Sequence, residues 1–144
     1  WSDGMVRISG REFNGLIDSP CFQRGKLSCI SCHAMHMAED DPRDVDDWAN
    51  DMLHPGMTGN RACLQCHKTG NYGPNHTHHE ASSSGSVCYN CHMPHTTYGL
   101  LKAIRSHQIS SPNAGSRIAT GRPLACNLCH LDRTLQWSAD HLEE

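Results

Sequence analysis

Four copies of one five-residue pattern, Cys-x-x-Cys-His, punctuate this chain of 144 residues, and no other feature limits its fold so strongly. They read CISCH (Cys29, Cys32, His33), CLQCH (Cys63, Cys66, His67), CYNCH (Cys88, Cys91, His92) and CNLCH (Cys126, Cys129, His130). Chance would place on the order of 0.05 such patterns in a chain of this composition, so the repeat answers a requirement. The rest of the sequence shows which one. Hydrophobic residues make up 37% of the chain and aromatic residues 6%, against 12 glycines and 7 prolines. Such a chain buries too little apolar surface to offset the entropy lost on ordering. An interior has to be recruited, and the 9 cysteines and 12 histidines are the residues equipped to recruit it.

The spacing fits covalent attachment of haem c. Two thiols add across the two vinyl groups of one porphyrin, and two intervening residues let both sulfurs reach the same edge. The histidine that follows passes under the ring and ligates iron from the proximal side. Zinc ribbons also use paired Cys-x-x-Cys, but zinc has no need of histidine directly after every pair. A disulfide framework is disfavoured by the odd cysteine count and by pairs too close in sequence to crosslink much. A thioredoxin-like motif requires a βαβ setting, which the sequence lacks. Four haems over 144 residues supply the apolar interior that the side chains do not. A ferric bis-histidine haem with two ionised propionates carries one net negative charge, so four move the formal charge from -3 to about -7.

Eight histidines remain for the distal faces of the irons: His36, His54, His76, His78, His79, His95, His107 and His141. Methionine is the competing ligand, but Met35, Met37, Met52, Met57 and Met93 read as packing around haem. The surplus of histidine favours bis-histidine ligation. His36 follows His33 by three residues, too short a tether to serve both faces of one haem, so the pair addresses two neighbouring haems. His95 repeats this arrangement after Pro94, which disturbs the local helix. His107 closes LLKAIRSH, read as a short helical run with Leu100, Leu101 and Ile104 for packing. In NHTHHE, His76 and His79 share a helical face and His78 points to solvent or a propionate. The expected distal set is therefore His107, His79, His36 and His76. His95 comes next, and His54, His78 and His141 rank lower. Cys21 is the odd thiol, read as a small buried residue, with an intermolecular or segment-to-segment disulfide as the alternative.

Elsewhere the sequence predicts a loop-rich chain with little or no sheet. REFNGLIDSP reads as an irregular lead-in, Asp44 to Leu53 as an acidic helix, and SSPNAGSRIATGRP as a turn-rich connector. TGNYGPN and EASSSGSV read as loops, and LDRTLQWSADHLEE as a helix with Leu131, Leu135 and Leu142 along one face. The fold class expected is mainly α with much irregular loop, organised by haem, in one domain spanning 1–144. Its unfinished ends suggest a segment of a longer protein. No basic footprint argues for nucleic acid, and no apolar run matches a transmembrane helix.

CYNCHMPHTTYG, IRSHQISSP and ACNLCH resemble multihaem c-type cytochromes. That broad group includes the tetrahaem electron carrier paired with hydroxylamine oxidoreductase and the pentahaem nitrite reductases. The resemblance runs from about Cys21 to the C-terminus and is strongest from His76 to Trp137. It implies haems in stacked parallel and roughly perpendicular pairs that form a continuous electron path. Related domains carry His-x-x-His before the third motif and Arg-x-His after it, which here are His76, His79 and His107. The implied function is electron transfer, with other redox proteins as donor and acceptor. Alternatives are a protomer of an extracellular cytochrome filament or larger conduit, and a haem enzyme acting on a small nitrogen or sulfur compound. The enzyme reading is weakened because the Cys-x-x-Cys-Lys motif of the nitrite reductases is absent. Thioether attachment outside the cytoplasm implies a periplasmic, extracellular or cell-surface location in a prokaryote.

Overall fold

Polar side-chain caps start three of the short helices of this chain. The computed structural model describes residues 1–4, 12–68, 70–98 and 102–142. Helix α1 is Glu12–Ile17 and α2 is Pro20–Gln23, with Pro20 in the first turn. The acidic helix α3, Val45–Asp51, starts where the Asp47 amide donates to Asp44 Oδ1 at 2.8 Å and stops at Met52, φ 52°. Helices α4 (Arg61–Leu64), α5 (Pro74–Thr77) and α6 (Cys88–His92) are single turns. Helix α7, Ala114–Thr120, is capped by Asn113 and closed by Gly121 at φ 66°. Helix α8, Leu135–Asp140, begins where Thr134 Oγ1 accepts from the Trp137 amide at 3.0 Å. Helices this short are marginal alone and depend on what they pack against.

Strands β1 (His95–Tyr98) and β2 (Lys102–Arg105) form an antiparallel pair in which His95 faces Arg105 and Thr96 faces Ile104. The architecture is thus mainly helical and irregular with one small sheet. The run before His107 is strand rather than helix. β-Branched Thr96, Thr97 and Ile104 favour pairing, and Arg105 ties the strand end to α6 through the Tyr89 and Met93 carbonyls and Asn90 Oδ1. Leu100 and Leu101 lie outside the described residues.

Three further expectations are corrected. The lead-in is helical: α1 lies against the backbone at 107–108, where a Cβ on Gly15 would sit 2.7 Å from the Gln108 nitrogen. The connector contains α7, for which Asn113 and Gly121 are ordinary start and stop signals. The C-terminal helix leaves Leu131 outside its Thr134 cap, 83% exposed.

Two compact units divide the chain, Gly25–Cys88 and the pair Trp1–Arg24 with Tyr89–Glu144. The second holds a small apolar core in which Leu124, Ala114 and Ala139 cluster, with Cys126 and Leu135 packed on it. In Gly25–Cys88 no apolar side chain is buried among the described residues; Ser86 alone is. No helix among the described residues is long and apolar enough to cross a membrane. Leu124, 1% exposed, is the keystone of the core that exists. Leu124→Ala is expected to cost about 2–4 kcal/mol, read from the denaturant midpoint of the intact protein.

Candidate functional site

Each cysteine motif is wound into one helical turn. The His33 amide bonds to the Cys29 carbonyl at 2.9 Å, His67 to Cys63 at 3.0 Å and His130 to Cys126 at 2.9 Å. The third motif is α6 itself. A turn closed in this way puts residues i, i+3 and i+4 on one face, so both thiols and the imidazole emerge together. Ser28 and Ser31 cap the first motif reciprocally. Apolar side chains stand exposed beside the thiols: Ile30, Leu64 and Leu128 inside the motifs, Met35 and Leu131 just after them. Among the described residues, no three of His, Cys, Asp and Glu converge to form a metal cage.

Within Gly25–Cys88 the first two motifs meet. Gln65, between Cys63 and Cys66, donates its side-chain amide to the Ser31 carbonyl at 3.1 Å. Burial, and then the nearby Cys66, push the Cys32 thiol up. Asn60, just before α4, accepts from the Cys88 amide and donates to the Ser86 carbonyl, both at 2.9 Å. One side chain thus joins the start of the second motif to the start of the third. In the other unit burial raises the Cys126 thiol.

Several imidazoles are held by one edge. Nδ1 lies against a backbone carbonyl in His33 (Asp51, 2.8 Å), His92 (Ser110, 3.1 Å), His79 (Thr77, 2.6 Å), His107 (Arg105, 3.2 Å) and His141 (Trp137, 2.8 Å). A carbonyl only accepts, so Nδ1 carries the proton and Nε2 keeps its lone pair, the arrangement typical of a metal-ligating histidine. His67 Nδ1 lies 3.4 Å from the Tyr72 hydroxyl. His130 packs on Trp137 with ring centroids 5.1 Å apart.

The expected distal residues fare differently. His79 and His107, ranked first, are both anchored. His141 ranked low, yet it is anchored and stacked on Trp137 at 4.3 Å; the four-residue spacing of Trp137 and His141 was the available signal. His76 and His79 do not share a helical face, because α5 ends at Thr77 and His78 turns the chain at φ 59°. His76 packs edge-on to Tyr72 at 5.4 Å. His36 and His78 are exposed. The His54 amide bonds to the Cys32 carbonyl at 2.9 Å. Burial, then the Arg105 charge, lower the pKa of His95. Cys21 is a half-buried thiol in α2.

The His33 anchor is itself tied down. Arg43 grips Asp41 with two nitrogens at 2.9 and 2.7 Å and donates to the Leu53 carbonyl. His33 and Leu53 pair as an isolated bridge. Residues of this kind fit haem c: paired thiols on one face, apolar side chains around them, and imidazoles presenting Nε2. No protein-family model, curated protein or solved structure matches the chain.

Two measurements check this geometry. The Arg43 hydrogen bonds hold the Asp41 pKa at about 2, below the roughly 3.9 of an unfolded aspartate. The clamp therefore stabilises above about pH 4 and is lost as pH falls through about 2. Asp41→Asn is expected to lower the melting temperature at neutral pH, with the gap from the native protein closing in strong acid. A Cβ on Gly85 would lie 2.3–2.7 Å from His79 ring atoms. Gly85→Ala is expected to cost about 1–3 kcal/mol and to shift the His79 ring resonances in NMR; an unmoved ring contradicts the packing described.

Proposed function

We propose that this chain is an electron-transfer protein carrying four covalently attached haems c. The observation that carries the reading is the one-turn geometry common to the four motifs, joined to carbonyl-anchored imidazoles on proximal and distal candidates alike. Haem supplies a one-electron iron couple when bound. Cys29 and Cys32, Cys63 and Cys66, Cys88 and Cys91, and Cys126 and Cys129 would hold the four groups as thioethers. His33, His67, His92 and His130 would ligate their irons.

His79 and His107 are the best supported distal ligands, followed by His36 and His76, with His141 added by its anchored ring. Histidines numerous enough to ligate each iron twice would leave no position for substrate, which favours a carrier or conduit over an enzyme. The contact of Gln65 with Ser31 supports close placement of the first two haems, the condition for passing electrons between them. Partners are redox proteins that give and take electrons, and the location is periplasmic or extracellular because thioether attachment occurs there.

A pyridine haemochrome assay with low-temperature EPR tests this directly. The expected result is four covalent haems per chain, all low-spin. Fewer than four haems, or a cysteine-bound metal in their place, ends the proposal.

A further inference from the structure

One charged side chain of α7 is buried with two of its nitrogens unpartnered among the described residues. Arg117 is 8% exposed, and its Nε and Nη1 are sealed from water with no hydrogen-bond acceptor among the described residues. Arg122, equally buried, keeps an unpartnered Nε but is charge-paired with Asp3 through Nη2, and the half-buried Arg105 donates to two carbonyls and Asn90. Arginine stays charged at any pH the protein meets, and an unpaired buried charge is strongly destabilising. The group that relieves it is a carboxylate, whose two oxygens match the guanidinium fork.

Arg117 lines an open pocket with Cys91, Ser110, Pro112, Leu124 and Ala125. Cys91 belongs to the third motif, Ala125 precedes the first cysteine of the fourth, and the Ser110 carbonyl anchors His92. The pocket therefore lies where two attachment motifs of one unit approach each other. Porphyrin propionates are the carboxylates such a place receives.

We propose that Arg117 binds the carboxylate of a haem propionate in this pocket, an inference that rests on the electron-transfer reading above. The guanidinium then fixes one porphyrin against rotation about its thioethers. Its positive charge also favours the reduced, less positive iron, so that haem has a higher midpoint potential than it would with an uncompensated propionate.

The test compares the holoprotein with Arg117→Gln and Arg117→Lys by spectroelectrochemical titration, EPR and resonance Raman of the propionate bending modes. Arg117→Gln is expected to lower one of the four midpoints and move one propionate band while every haem stays low-spin. Arg117→Lys is expected to keep most of the midpoint, because the charge remains, yet still move the band, because the fork is lost. If the glutamine variant does not fold, the lysine variant decides: an unmoved band overturns the proposal. Four unchanged midpoints in a folded Arg117→Gln protein also overturn it. A native midpoint that follows added phosphate at constant ionic strength assigns the site to a free anion and overturns it as well. A haemochrome count below four sinks the electron-transfer reading, and this inference with it. A count of four with unmoved bands sinks this inference alone.

Discussion

The amide of a motif histidine bonding back to the carbonyl of its first cysteine is the contact on which the rest of this structure depends. It recurs at His33, His67 and His130 with nearly one distance, and α6 winds the third motif in the same way. The turn costs little sequence, since only the two cysteines and the histidine are specified. It orients three side chains at once, and it recurs along a chain that builds almost no core of its own. Across Gly25–Cys88 burial stops at Ser86 among the described residues, so apolar packing between side chains does not organise that unit. Under the electron-transfer reading, the faces of the four turns are where the interior is bound.

With so little core, polar side chains hold the histidine-bearing segments. Arg43 bridges Asp41 and Leu53 behind His33, Asn60 joins the approach to α4 with the approach to α6, and Arg105 ties β2 to α6. Two glycines do the complementary work of permitting close approach: Gly15 lets α1 lie on the His107 backbone, and Gly85 lets the His79 ring lie flat on the chain. Hydrogen bonds of this kind are individually modest. They are directional, however, and an imidazole presenting Nε2 needs direction more than it needs burial.

How much of this was legible follows from what each feature depends on. The four motifs are local, and so was the α3 cap at Asp44. The carbonyl contacts of His79 and His107 depend on backbone two residues earlier, and His141 makes the same kind of contact four residues back. The failures have different causes. The strand before His107 was read as helix because Leu, Ala, Ile and Lys favour helix locally, while the Thr96–Ile104 pairing that overrides them is a contact between segments. The helical relation of His76 and His79 failed because His78 adopts a left-handed conformation, uncommon for a residue with a side chain. Helix α7 had legible caps, but its neighbouring glycine and proline pointed to a loop. His141 ranks low because its ring contact and carbonyl bond show in sequence only as the four-residue spacing from Trp137.

The partners of the four motif histidines also differ, and under the electron-transfer reading this bears on what a row of four haems would be for. His33 and His92 meet backbone carbonyls, which draw on the imidazole proton and make the ring more basic. His67 lies 3.4 Å from the Tyr72 hydroxyl, a longer contact, and His130 packs on the Trp137 ring. A more basic ligand favours the oxidised iron. Identical attachment turns would therefore not make identical redox sites. The covalent chemistry would stay constant while the surroundings of each imidazole vary. Potentials along such a path would then be graded without disturbing the turns that fix the porphyrins in place.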